Sequence, residues 1–170
     1  MKVLAVIDMQ NDFITGALGT YAAQAIVPAV RRRIAEARAA GEQIVFTLDT
    51  HTSRYPQTQE GRRLPVPHCI RETDGWQLEG SLDASGSQVF EKPGFGSPAL
   101  IDYLASLPGL TEVEFVGLCT DICVITNALM LKGALPEVTI RVRADACAGV
   151  TPESHETALN AMKMCQIEII

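Results

Sequence analysis

The chain has 170 residues, 47% hydrophobic and 20% charged, a balance that excludes disordered and fibrous classes. Fourteen Lys and Arg stand against 20 Asp and Glu, and the net charge of −6 argues against sequence-independent nucleic-acid binding, which needs a basic face. No uncharged apolar run reaches the roughly 18 residues of a membrane span, and the start, MKVLAVIDMQND, meets Asp8 before a signal-peptide core forms. Five cysteines without a secretion signal read as reduced thiols, so the expectation is a soluble, cytoplasmic protein with one domain over residues 1–170.

Val3 to Ile7 is a continuous apolar run, the pattern of a strand covered on both faces, and it ends at Asp8. From about Ala25 to Ala40, Ile26, Val30, Ile34 and Ala37 recur at helical spacing, with Gly41 suited to the C-terminal cap. The Arg31-Arg32-Arg33 run on this helix, with Glu36 close by, reads as a solvated face. Ile44 to Leu48 is a second buried strand closing on Asp49. Thr50 to Ser87 has no clean period; loops this long are usually functional or disordered, and Leu64, Val66, Ile70, Trp76 and Leu78 offer apolar anchors that favour order. Gln88 to Glu91 predicts a weaker strand followed by Lys92, and Val113 to Val116 another ending at Gly117. Asp121 to Leu131 predicts a helix, Val138 to Val142 a strand, Pro152 to Cys165 a helix, and Ile167 to Ile170 a last short strand. Alternation of strands and helices implies parallel pairing by right-handed crossovers in a doubly wound, three-layer α/β/α fold. Leu129, Met130 and Leu131 crowd apolar groups on one helix, which suits the core and a surface for homo-oligomer formation equally.

In an open parallel sheet, ligands bind beyond the carboxyl ends of the strands. Asp8, Asp49 with His51, Lys92, and Gly117 to Cys123 occupy those ends. Cys123 falls at a predicted helix start, with Thr120 or Asp121 as a cap. There the free N–H groups and the helix dipole favour a thiolate and can hold an oxyanion, although a free cysteine is most often a small buried hydrophobe. Cys119 lies in the turn itself, and Cys69, Cys147 and Cys165 read as structural. A carboxylate such as Asp8 at the end of an apolar strand needs a partner. Cysteine, acid and lysine at neighbouring strand ends form a set suited to acyl transfer. Asp49 and His51 point the same way in extended chain, and His68 would complete an acid-and-two-imidazole set for a divalent metal, though loop histidines are mostly surface residues. His155 reads as structural.

Val6-Ile7-Asp8-Met9-Gln10-Asn11-Asp12-Phe13, Lys92, and Gly117-Leu118-Cys119-Thr120-Asp121-Ile122-Cys123-Val124 resemble the three signature segments of the isochorismatase-like cysteine hydrolases, a family that includes nicotinamidases. The resemblance spans essentially the whole chain. It implies a six-stranded parallel sheet, a catalytic triad of Asp8, Lys92 and Cys123, a non-proline cis peptide between Leu118 and Cys119, and an oxyanion hole from the N–H groups of Cys119 and Cys123. Asp49-Thr50-His51 and Pro67-His68-Cys69 look like the metal segments of the nicotinamidase branch, which hold zinc or a related divalent ion. Two features depart from that branch, namely Thr50 where an aromatic is common and Pro93-Gly94-Phe95-Gly96-Ser97 where an acidic-tyrosine segment often follows the lysine. Phe13, Trp76 and Phe95 are the aromatics expected near a planar substrate. The resemblance thus implies a cysteine amidohydrolase that cleaves a small carboxamide, nicotinamide first, through a thioester; the alternatives are an N-carbamoyl or ureido amidohydrolase and a non-catalytic binding module.

Overall fold

The computed structural model describes residues 1–170. Six strands form one parallel sheet: β1 (Lys2–Ile7), β2 (Gln43–Asp49), β3 (Gln88–Lys92), β4 (Glu112–Leu118), β5 (Thr139–Ala148) and β6 (Glu168–Ile169). Their spatial order is β3-β2-β1-β4-β5-β6, so the winding reverses between β1 and β4. The helices are α1 (Asn11–Ile14), α2 (Tyr21–Ala39), α3 (Gln59–Arg63), α4 (Pro98–Ser106), α5 (Ile125–Ala134) and α6 (Pro152–Met164). No helix is long and apolar enough to cross a membrane.

β1 explains its own sequence. Val3, Ala5 and Ile7 pack with Leu104 of α4, Leu131 of α5 and Met162 of α6, while Leu4 and Val6 pack with Ile26, Val30 and Ile34 of α2. Both faces are covered, so the strand reads as an unbroken apolar run. β1 and β4 approach closely at Gly117, where φ is +116° and a Cβ would lie 2.1 Å from the Ile7 carbonyl oxygen. Only glycine fits that seam.

Several elements differ from the sequence reading. α2 begins at Tyr21 because the Thr20 hydroxyl accepts from the Ala23 N–H and caps a turn that carries little apolar pattern. Arg33 is buried rather than solvated, since it shares the inward stripe of Val30 and Ala37. Its guanidinium grips Glu114 of β4 through Nε and Nη2, at 3.0 and 3.1 Å, and Arg143 Nε adds a third contact at 2.6 Å. α4 is an additional helix, marked by a Ser97 cap, Pro98 in the first turn, and Leu100, Ile101 and Leu104 facing inward. β5 runs on to Ala148 because Arg143 and Asp145 interrupt its apolar pattern without ending the strand. β6 is shorter than expected, two residues pairing with Arg141 and Val142. On α5, Leu131 is buried and Leu129 exposed, so the apolar crowding divides between core and surface.

Residues 50–87 form an ordered excursion held by specific contacts. His51 bridges Ile70 and Gln10 bridges Leu78, while the Asp12 carboxylate accepts from the Cys69 N–H at 2.8 Å. Tyr55 and Leu82 are its buried anchors, whereas Leu64 stands exposed.

Candidate active site

The reversal between β1 and β4 opens a crevice at the carboxyl ends of the strands, and the side chains closing those strands converge there. Asp49 and Lys92 are register partners on β2 and β3. Lys92 Nζ lies 2.6 Å from Asp8 Oδ2, 3.4 Å from Cys123 Sγ and 3.5 Å from Asp49 Oδ1, and it donates to the Gly94 carbonyl at 3.0 Å. One ammonium therefore bridges the carboxylate and the sulfur, and all three groups are buried. Asp8 sits with φ at +46°, and its other oxygen accepts from the Thr47 hydroxyl at 2.6 Å. Thr47 Oγ1 in turn accepts from the Asp8 N–H at 3.2 Å, so one hydroxyl fixes both backbone and side chain.

The electrostatics depart from expectation at the sulfur. Burial pushes the Cys123 thiol well above its usual value, and the adjacent Asp8 carboxylate pushes the same way against Lys92. Burial and Asp8 thus oppose the thiolate that the helix start and Lys92 favour. Burial also raises the Asp8 carboxyl, with Lys92 opposing. For Lys92, burial works against the charge, but Asp8 and Cys123 outweigh it and hold the ammonium protonated. A carboxylate of raised proton affinity beside a thiol is suited to move that proton.

Cys123 rides on a wide π-type turn, Thr120–Val124, that leads into α5. The Leu118–Cys119 peptide is cis. The Cys119 carbonyl accepts from the N–H groups of Ile122 and Val124, and its own N–H has no acceptor within the protein. The expected caps do something else. Thr120 pairs with His155 Nδ1 at 2.8 Å, and the Asp121 carboxylate accepts from the Val150 N–H at 3.1 Å, tying the turn to the start of α6. Asn127, which the sequence did not single out, donates to the carbonyls of Cys123 and Phe95 and accepts from the Ser97 N–H. Buried and fully used, it locks the cysteine turn to the segment after β3. The Cys119 thiol is pushed up to about 12 by burial and by Asp121.

Beside the sulfur, Asp49, His51, Glu60 and His68 bring four ligand atoms within 4.8 Å of one another. Asp49 Oδ2 lies 3.0 Å from His51 Nε2 and 3.4 Å from His68 Nε2, and Glu60 Oε1 lies 3.8 and 3.6 Å from the same nitrogens. His68 Nδ1–H donates to the Val66 carbonyl at 2.8 Å, which leaves the Nε2 lone pair facing the group. Burial works against ionisation of Asp49, but the two imidazoles and Lys92 hold its carboxyl well below the usual range. This donor set fits a divalent metal. The sequence reading found three of its members and missed Glu60, which lies on the five-residue helix α3 in a stretch without period. Gln10 was missed too. Its amide accepts from the Asp49 N–H at 2.7 Å and donates to the Asp49 carbonyl at 2.9 Å, extending β1 with a side chain.

A cavity of about 730 Å³ lies over these groups, and Phe13, Phe95, Cys119 and Cys123 line it. The Phe13 ring is 5.5 Å from that of His68. Trp76 does not line the cavity. Its indole N–H donates to the Thr50 hydroxyl at 2.9 Å and its carbonyl accepts from Gln10, so it braces the loop beneath.

The isochorismatase domain model matches residues 2–170. The chain is 30% identical to the nicotinamidase/pyrazinamidase of Mycobacterium tuberculosis, over 100% of this chain and 98% of that one. Among solved structures, a Pyrococcus horikoshii pyrazinamidase in complex with zinc superposes with a TM-score of 0.86 at 27% identity, covering 99% of this chain and 98% of that one. An N-carbamoylsarcosine amidase from Thermoplasma acidophilum superposes with a TM-score of 0.83 at 27% identity, over 99% and 94%. A sheet reversal carrying acid, lysine and cysteine, a whole-chain family match and these relatives lead to one conclusion: the chain belongs to the isochorismatase family, in its nicotinamidase-like branch, and is a hydrolase of amide C–N bonds.

Proposed function

We propose that the protein hydrolyses nicotinamide to nicotinate and ammonia through a thioester on Cys123. The observation that carries this reading is the Lys92 ammonium placed 2.6 Å from Asp8 and 3.4 Å from Cys123. Asp8 takes the thiol proton as the sulfur attacks the amide carbon, and the N–H groups of Cys119 and Cys123 receive the oxyanion. The C–N bond then breaks, Asp8 returns its proton to the departing nitrogen, and ammonia leaves behind the acyl-sulfur bond. A water attacks that bond, giving one proton to Asp8, and the acid is released as the proton passes back to the sulfur. Lys92 keeps Asp8 and the sulfur from repelling each other as charge moves between them.

Asp49, His51, Glu60 and His68 would hold zinc or a related divalent ion, which when bound supplies a Lewis-acidic position for a ring nitrogen or a water. Phe13 and Phe95 would flank the ring. Likeness to the N-carbamoylsarcosine amidase makes an N-carbamoyl amide the second reading, separated from the first by ammonia release across a panel of amides. Cys123→Ala is expected to abolish ammonia release from nicotinamide while circular dichroism stays native. Release at the wild-type rate by that variant would remove the mechanism.

A further inference from the structure

Resting on the amide-hydrolase reading above, we propose that the site takes amides whose acyl part extends beyond a single ring and ends in a carboxylate, with Arg63 as the residue that selects them. Nicotinamide is one six-membered ring with its carboxamide, and it leaves most of a cavity of about 730 Å³ unfilled; cavities of that size suit larger ligands.

The cavity is graded along its depth. Its inner end carries the buried Cys123, Asp49, His51 and His68. Toward solvent, Leu18, Leu64, Phe95 and Val150 line it from four separate segments, beside the polar Thr20, Thr58 and Gln59. Leu64, Phe95 and Val150 remain 38%, 48% and 54% exposed, and large apolar side chains left in water around one opening mark a surface that receives an apolar ligand.

Arg63 lines the same cavity. It follows Glu60 by three residues on α3, so the two side chains share a side of that helix. Glu60 is turned to His51 and His68 and does not neutralise it. Arg62 donates to the Gln57 carbonyl and Arg71 pairs with Glu91, whereas Arg63 has no ion pair and no hydrogen bond. An uncommitted guanidinium presents a planar fork that matches a carboxylate. Because Cys123 and Arg63 line one cavity, an extended amide with its carbonyl at the sulfur would place its far end toward that fork.

The test compares ammonia release from straight-chain alkanamides with release from dicarboxylic monoamides of the same chain length, for the wild type, Arg63→Ala and Arg63→Lys. For the best chain length, the acid is expected to exceed its neutral counterpart in kcat/KM at least about tenfold, mainly through KM, as a charge-assisted fork contact would give. Arg63→Ala should erase that ratio and Arg63→Lys should keep part of it. A wild-type ratio near one, or a ratio that survives Arg63→Ala, overturns the proposal. Turnover of nicotinamide with none of the extended amides overturns it alone, while failure on every amide with Cys123 intact overturns the amidase reading as well.

Discussion

Thr47 shows how much of this site rests on one hydroxyl. It donates to Asp8 Oδ1 and accepts from the Asp8 N–H, orienting the carboxylate so that its second oxygen meets Lys92. A hydrogen bond to a charged group contributes about 1.5–3 kcal/mol, so Thr47→Val is expected to lower kcat/KM about 10- to 100-fold while Thr47→Ser retains most activity. Steady-state kinetics with matched thermal melts checks this. Asp8, Lys92 and Cys123 were legible in the sequence because charged or nucleophilic groups stand out where apolar strands end. Thr47 was not, because a β-branched residue in a strand looks like any other until its hydroxyl is seen to have partners. Trp76 braces the loop, against the expectation of a place beside the substrate, for a related reason: aromatic character is visible in a sequence, and the direction of a ring is not.

At the scale of elements, the excursion from Thr50 to Ser87 carries three of the four donors of the proposed metal group without a period to announce it. The segment was legible as ordered, but its geometry depends on contacts from distant positions, such as Asp12 on the Cys69 N–H and Gln10 on Trp76 and Asp49. Periodicity cannot reveal these. The four donors of the proposed metal group join the end of β2, α3 and the turn at His68, so a bound ion cross-links three stretches of chain. Stripping the protein with a chelator should lower Tm by about 5–10 °C, corresponding to a few kcal/mol of linked binding in a chain of this size, and restoring zinc should reverse it. Thermal melts before and after chelation read this directly, and an unchanged Tm in a protein shown to have carried metal would contradict it.

For the molecule as a whole, the alternation of strands and helices made the three-layer parallel fold legible, since crossover handedness leaves few other arrangements. What it hid was the ionic group between α2 and the sheet, where Glu114 is held by Arg33 and Arg143. Burial raises the Glu114 carboxyl, but the two guanidinium groups outweigh it and keep it below the usual carboxylate range. Its contribution to stability is therefore complete above the ordinary glutamate value, about 4.3, and is lost as pH falls through the lower folded value. Glu114→Gln should destabilise the protein by about 1–3 kcal/mol at pH 7, because it removes the charge shared by the buried Arg33, which keeps Glu42, and the partly exposed Arg143. The gap from wild type should narrow at pH 3, and urea melts at the two pH values measure both quantities.

A sulfur that keeps its proton reacts slowly with peroxides and alkylating agents, which consume the ionised form. Burial and the neighbouring Asp8 carboxylate raise the Cys123 thiol and disfavour its ionised form, whereas Cys165 stands exposed to solvent, so a limiting amount of alkylating agent is expected to label Cys165 before Cys123.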